Sequence, residues 1–379
     1  MLHHILSFLS QKEAIQTCVL SKSWRYLGST RPNFESCERW FNANKQTFLS
    51  TIDKILHRYH DQKLSIQEFI LEMSMGDSES ILFFEKWIPL VMLNMGLNTF
   101  SFKDVSYSWA RFALPSLVYK DEFVKELNLN RCKLSQINPL DKLSLIYCHG
   151  FEEIQLLSHS IKFLAISVDM PIKAAIDATH ILYFEFRSDF LPSISFKTTS
   201  SEWKSDIRLS YSLDTDNDAS SWFLKLNEIL KALSHSEISL RISPLVVPDT
   251  IYGGFHKAVL VENLCLRGQY SYSSVTTFLN GLFRICHPRY IGEYLCADPQ
   301  AEQIIEDKQF IGFLCKILLM ERERRHYLWQ QDLEEVSLEA FDNNGKQWNP
   351  VQWAGLSECA FLDNQFNQRF RFCLKWRES

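Results

Sequence analysis

The sequence predicts an α/β fold: a short helical module at the N-terminus, then an irregular solenoid of parallel strands, then a C-terminal cap. Three observations carry this. Apolar residues in the opening segment recur at helical spacing. Through the middle of the chain a short leucine pattern returns at intervals near the ~20–29 residues of a strand-and-turn repeat. Beyond residue 270, two amphipathic helical stripes are followed by a terminal segment of strict alternation.

The opening segment, Met1 to Phe34, reads as two short helices and the start of a third. Leu2, Ile5, Leu6 and Leu9 fall at i, i+3, i+4 and i+7, on one helical face. Ser10-Gln11-Lys12-Glu13 fits a capping box, in which the Ser10 hydroxyl accepts a backbone N–H while Glu13 reaches back to the cap. Ala14, Ile15, Cys18 and Val19 form the next apolar stripe, Ser21 is a second N-cap, and Trp24 and Leu27 follow three residues apart. So short a helical segment cannot bury enough apolar surface to stand alone. Leu2, Ile5, Leu6, Leu9, Val19, Leu20 and Trp24 must cover one another and something else, either a partner or the following domain.

Ahead of the repeats, Phe48, Ile52, Ile55, Leu56 and Tyr59 give a helical stripe, and Leu64 to Met73 read as a first strand. Trp87, Ile88, Val91 and Met92 predict a helix ending near Gly96, and Thr99 to Phe102 a strand. The repeats themselves begin at Val124. Val124 to Leu134 fits L-x-x-L-x-L-x-x-C-x-L, the leucine-rich-repeat pattern, with valine for the first leucine. Leu140, Leu143, Leu145 and Cys148 repeat its first part, as do Ile161, Leu164, Ile166 and Asp169. Ile181, Phe184, Phe186 and Asp189 follow with aromatics, and a later copy reads Val261, Leu264, Leu266 and Gln269. Between 190 and 260 there are only weaker matches, at Ile207-Arg208-Leu209 and Ile238-Ser239-Leu240. Each L-x-L unit is a short parallel strand with its leucines inward, and each repeat leaves an apolar face open until a neighbour stacks on it. Parallel strands are therefore expected at 127–129, 143–145, 164–166, 184–186 and 264–266.

With the leucines inward, the residues beside them line the concave face: Asn128, Ser144, Ala165, Tyr183, Glu185, Arg187, and further on Arg208, Arg241 and Arg267. Arginine and tyrosine are favoured anchors in protein interfaces, and a row of arginines suits carboxylate or phosphate groups. Tyr183, Arg187, Arg208, Arg241 and Arg267 are accordingly the candidate target-binding residues. The competing reading has each arginine solvated or paired with a local acid.

At the C-terminal end, Val275, Phe278, Leu279, Leu282, Phe283 and Cys286 form one helical stripe, stopped by Pro288, and Phe310, Phe313, Leu314, Ile317 and Leu318 form another. Leu333, Val336 and Leu338 suggest a strand. Phe370, Phe372, Leu374 and Trp376 alternate with Arg371, Cys373 and Lys375, as in a half-buried strand that closes the solenoid.

The string LHHILSFLSQKEAIQTCVLSKSWRYL resembles a plant-type F-box, with Ser23 where that family usually has arginine and Gly28 where it has tryptophan. The Trp-Ile helix, the glycine and the strand at 87–102 resemble the segment that precedes the repeats in plant F-box/leucine-rich-repeat proteins. The resemblance runs from residue 1 to about 190 and more loosely from 260 to 340, and the chain reads as an F-box-like module at 1–35, a helical linker and start of the solenoid at 36–96, leucine-rich repeats at 97–270, and C-terminal repeats with a cap at 271–379. It implies a non-catalytic substrate-recognition subunit of a Skp–cullin–F-box ubiquitin ligase. Leu2, Ile5, Leu6, Leu9, Val19, Leu20 and Trp24 would hold the Skp-type adaptor, and through it cullin, and the repeats would hold a target protein. Met1 stands without the Leu-Pro-acidic turn that opens the family's motif, so a truncated F-box with weaker adaptor contact is expected. The alternatives are an adaptor-independent scaffold and a small-molecule (hormone) co-receptor on the same fold.

Other classes are poorly served. Charged residues at 22% and a net charge of −5 give no basic footprint for nucleic acid, and no apolar run reaches a membrane span. The ten cysteines contain no pair at C-x-x-C spacing, so buried, reduced thiols in a cytoplasmic or nuclear protein are expected. His57 and His60 lack partners at metal-ligand spacing. Asp214, Asp216 and Asp218 begin like a calcium loop, but Ala219 and Lys225 stand where glycine and glutamate belong. No cofactor, metal or catalytic residue is expected.

Overall fold

Strand formation starts earlier than the periodicity suggests. In the computed structural model the described residues are 21, 31–42, 44–94, 96–106, 114–115, 117–120, 124–132, 140–148, 153–198, 200, 202–211, 219–244, 258–266, 272–292, 313–320, 328–342, 346–350 and 370–377. All seven expected adaptor-binding residues, Leu2, Ile5, Leu6, Leu9, Val19, Leu20 and Trp24, lie outside them. The expected start of a third helix, at Trp24 and Leu27, lies outside them too, and the first described element is strand β1, Asn33–Cys37. Tertiary contacts hold this strand: the Phe34 ring stacks on Phe69 at 5.1 Å and 8°, and Phe69 on Phe100 at 5.6 Å. Those contacts form only when Phe34 joins a sheet. The described residues divide into two compact units, one running up to Val168 with Ala175–Ile181 and Lys197–Thr199, the other comprising Asp169–Ala174, Leu182–Phe196 and residues from Ser200 on.

In the first unit β1 pairs in parallel with β2, Glu68–Met73, and β2 with β3, Thr99–Asp104. Pairing continues through β4, Glu126–Asn130, and β5, Lys142–Ile146, to β7, Phe163–Val168. Expected as the first strand over 64–73, β2 is instead the second, and shorter. Leu64 closes the preceding helix by donating to the Tyr59 carbonyl at 2.9 Å, and Gln67 donates to Pro32, so these residues turn before the strand begins. The register aligns apolar residues in two rows. Phe34, Phe69, Phe100, Leu127, Leu143 and Leu164 form one inward row, and Leu71, Phe102, Leu129, Leu145 and Ile166 a second. All of these side chains are buried, so each strand alternates core and surface as a pleated strand must.

Two helices cover this sheet. In α1, Lys45–Asp61, Asn44 caps the N-terminus by accepting from the Thr47 N–H, and Phe48, Leu49, Ile52, Leu56 and Tyr59 are buried. The stripe is the expected one, with Leu49 added and Ile55 at its margin. Helix α2, Ser78–Asn94, opens on Asp77, which accepts from the Ser80 N–H at 2.8 Å, and Gly96 just beyond it takes φ +65°. Trp87 is fully buried, and its Nε1–H donates to Asp53 Oδ1 of α1 at 3.0 Å.

Strands β6, Glu153–Ser158, β7, β8, Lys173–Ala178, β9, Tyr183–Ser188, and β10, Ser193–Lys197, begin ten residues apart. The leucine pattern registered only every other one. In β8 the buried alternate positions are Ala174, Ile176 and Ala178, so alternation is present but the large side chains that announce a strand are not.

The sheet of the second unit starts from β9. Strands β11, Lys204–Tyr211, β12, Glu237–Pro244, β13, Val259–Leu266, and β14, Cys286–Gly292, extend in parallel from β9. The two weak matches at 207–209 and 238–240 are thus centres of eight-residue strands. Phe186, Ile207, Leu240, Leu264 and Ile291 make the inward row. The five expected repeat strands all lie in parallel ladders, as β4, β5, β7, β9 and β13. β17, Phe370–Trp376, runs antiparallel between β14 and β15, Leu333–Asp342, and the hairpin strand β16, Gln347–Pro350, pairs with β15.

Helices α3, Ala219–Ala232, and α4, Tyr272–Leu282, belong to this unit. The expected stripe from Val275 to Cys286 is one element too long: α4 ends at Leu282, and Cys286 and Pro288 belong to β14. Proline is tolerated there because β17 pairs with β14 only from Tyr290 on, so no partner strand needs an N–H from residue 288 on that side. The Pro288 carbonyl accepts instead from Trp376 Nε1 at 2.7 Å.

Trp376 also stacks on His287 at 4.0 Å and 5°, with Phe283 edge-on at 5.6 Å. Burial in this aromatic cluster holds the His287 imidazole below its usual pKa, against the weaker opposite pull of Asp332. The unfolded chain therefore binds the proton more readily. This contribution to stability is fully present above the ordinary histidine pKa, about 6.5, and is lost as pH falls below it toward the depressed folded value. A urea midpoint falling between pH 7.5 and pH 5 is expected, with a smaller fall in His287→Phe, which keeps the stack and removes the titration. Equal pH slopes in the two proteins would remove His287 from this role.

Candidate functional site

The strands of the second unit turn their inward residues to the core and leave a polar face on the other side. On that face the register sets side chains in rows. Tyr183, Lys204 and Glu237 make the first, Glu185, Asp206 and Ser239 the second, and Arg187, Arg208 and Arg241 the third. Four of the five expected target-binding residues, Tyr183, Arg187, Arg208 and Arg241, therefore share one face of three adjacent strands. Arg267, the fifth, lies outside the described residues.

The centre of this patch is Asp206, which sequence reasoning passed over. Its carboxylate Oδ2 accepts from Arg208 and from Arg241, each at 3.1 Å, while Arg208 also reaches Glu185 at 3.2 Å. Asp206 is 6% exposed, so two guanidiniums share a nearly dry carboxylate. Three like-charged arginines in one row would repel; the acids of the neighbouring row hold two of them in place. Arg208 and Arg241 are thus both paired with local acids. Arg187 differs: it is exposed and has no ion pair among the described residues. The signal that could have found Asp206 is the period of two, since Asp206 and Arg208 must emerge on the same face.

Electrostatics bind the patch together. Burial opposes the Arg208 charge, but Asp206 and Glu185 outweigh it and raise the guanidinium above its usual pKa. Burial, with Asp206 and Glu185 nearby, pushes the Tyr183 hydroxyl up to about 12, so it stays a neutral phenol. Asp206 Oδ1 and Arg208 Nε are buried without a hydrogen-bond partner among the described residues. The patch combines charge-paired arginines, a neutral phenol and the exposed Arg187, which has no ion pair among the described residues. In the first unit the corresponding residues Asn128, Ser144 and Ala165 are also register neighbours, but they are small and uncharged. His57 Nδ1 lies 2.8 Å from the Asp53 carbonyl, its own helix neighbour. Among the described residues no group of three or more His, Cys, Asp or Glu is placed to hold a metal, and no helix is long and apolar enough to cross a membrane.

The chain has sequence relatives among curated plant proteins. An F-box/LRR-repeat protein of Arabidopsis thaliana is 28% identical over 226 residues, 56% of this chain and 46% of its own length. A second F-box/LRR-repeat protein of the same plant is 29% identical over 234 residues, 56% of this chain and 57% of its own. The chain is a relative of plant F-box/leucine-rich-repeat proteins. An Arabidopsis F-box/FBD/LRR-repeat protein is similar over a shorter stretch, 29% identical over 137 residues, covering 36% of this chain and 30% of its own. The chain spans about half the length of the F-box/LRR-repeat relatives it matches first. No family model matches it, and no solved structure does.

Proposed function

We propose that this chain is the substrate-recognition subunit of a Skp–cullin–F-box ubiquitin ligase. Residues 1–35 hold the Skp-type adaptor through Leu2, Ile5, Leu6, Leu9, Val19, Leu20 and Trp24. The leucine-rich repeats form a solenoid that holds a target protein, with Tyr183, Arg187, Arg208, Arg241 and Arg267 on the target-facing side. The chain supplies no catalytic group; ligation belongs to its partners. What supports this reading most is the relationship to F-box/LRR-repeat proteins, read together with in-register parallel strands that carry arginines and a tyrosine on one outward face.

The test has two arms. Calorimetric titration with purified Skp-type adaptor should detect binding by the native chain and a loss in Trp24→Ala. A fully buried large apolar side chain is worth ~1.5–3 kcal/mol, so the loss should be roughly ten- to a hundredfold. Absence of binding by the native chain would overturn the ligase reading. In the second arm, Arg187→Glu with Tyr183→Ala should deplete the proteins that co-purify with the chain while adaptor affinity is unchanged. An unaltered set of captured proteins would move the target site elsewhere.

A further inference from the structure

Two successive repeats end in the same way. After β4 the chain turns at Arg131, with φ +59°, and after β5 at Tyr147, with φ +51°; both are left-handed positions rarely taken by such side chains. A cysteine follows each. Cys132 and Cys148 are each 1% exposed, their side chains folded back under the strand ends. The Cys132 thiol donates to its own strand, to the Asn130 carbonyl at 3.4 Å. The Cys148 thiol donates to the Ile146 carbonyl at 3.6 Å and reaches across the ladder to Leu129 at 3.4 Å.

Register brings the two together. Leu129 pairs with Leu145 and Asn130 with Ile146, and the Arg131 N–H still donates to Ile146 at 2.9 Å, so the alignment persists past the strand ends. Two residues further on, Cys132 stands opposite Cys148. Neighbouring strands are ~4.8 Å apart, inside the ~4.4–6.8 Å between Cα atoms that a disulfide spans.

We propose that Cys132 and Cys148 form a redox-sensitive dithiol that a hydroperoxide closes to a disulfide, stapling the ends of β4 and β5. Cys148 is the attacking sulfur. The neighbouring Cys132 thiol holds the Cys148 pKa below its usual value despite burial, whereas Cys148 and burial push Cys132 well up. The Cys148 thiolate attacks one peroxide oxygen and breaks the O–O bond, giving a sulfenic acid and releasing water once the second oxygen is protonated. The Cys132 thiol then attacks the Cys148 sulfur as it loses its proton; the S–S bond forms, the S–O bond breaks and a second water leaves. In sum, two thiols and one hydrogen peroxide give one disulfide and two waters. Both sulfurs are out of solvent, so the oxidant enters on local opening of the strand ends, and the reaction is slow beside that of an exposed thiol.

The test uses the full chain without denaturant, treated with hydrogen peroxide, alkylated, digested without reductant and mapped by mass spectrometry. A Cys132–Cys148 linked peptide is expected, with two fewer alkylated thiols. Thermal unfolding should shift up by on the order of 5–10 °C, because the link closes a short loop, and dithiothreitol should reverse the shift. Cys286, wholly buried and held well above the usual thiol pKa by burial, should remain reduced as an internal control. Cys132→Ser and, to guard against misfolding by a buried hydroxyl, Cys148→Ala should each abolish both link and shift. No linked peptide, linkage only in urea, or overoxidation of Cys148 with Cys132 still free would each overturn the proposal.

Discussion

Trp87→Ala is expected to destabilise the first unit by about 3–5 kcal/mol, the range for removing a buried aromatic from a well-packed core. Trp87 is fully buried on α2, with the Phe83 ring at 5.5 Å. It also ties α2 to α1: its Nε1–H and the Lys86 ammonium both donate to Asp53, at 3.0 Å and 2.8 Å. Burial raises the Asp53 pKa, but Lys86 and Trp87 outweigh it and hold the carboxyl below its usual value. Truncation thus opens a cavity and removes a donor from a charged acceptor. Trp87→Phe refills most of the cavity without restoring the donor and should cost less. Urea unfolding monitored by hydrogen exchange in β2, β3 and β4 measures both. If exchange in those strands is unchanged in Trp87→Ala, the packing assigned to α2 is wrong.

Asp206→Ala should be nearly as costly, about 3 kcal/mol, the lower end of the range for removing one partner of a buried ion pair. Asp206 is the common partner of Arg208 and Arg241, and its loss leaves two guanidiniums side by side on adjacent strands without the carboxylate between them. The lower end applies because the Arg208 side chain is 34% exposed and water screens part of the repulsion. Asp206→Asn keeps the shape and one acceptor oxygen, and should fall between wild type and alanine. In Asp206→Ala, adding Arg241→Met should recover part of the loss, because the repulsion disappears with the second guanidinium. A double variant no more stable than the single one would show that Asp206 acts by packing alone.

These two residues mark what could be read in advance. Trp87 was legible because a helix of period 3.6 must put Trp87, Ile88, Val91 and Met92 on one side, whatever covers them. The parallel strands at 127–129, 143–145, 164–166, 184–186 and 264–266 were legible for the same kind of reason: large apolar residues two apart, returning at a steady interval, have few other ways to be buried. Strand β8 escaped because its buried positions are alanine and one isoleucine, too small to signal a strand. The segment at 33–37 escaped because its only strong cue is Phe34, whose partners Phe69 and Phe100 lie far along the chain. Pro288 was read as a helix stop, whereas it sits in a strand beside an unpaired stretch that only the sheet order reveals.

The sequence by itself therefore determined the five strands whose paired positions are large and apolar, their alternation of core and surface, and the side chains that emerge on their outward face. These follow from periods of two and 3.6, which belong to the backbone and need no neighbour. Tertiary structure alone decided which of those side chains meet. Parallel register placed Asp206 between Arg208 and Arg241, left Arg187 without an ion pair among the described residues, and set Cys132 beside Cys148. Pairing across strands depends on a register fixed by all the inward rows together, and no single segment carries that information.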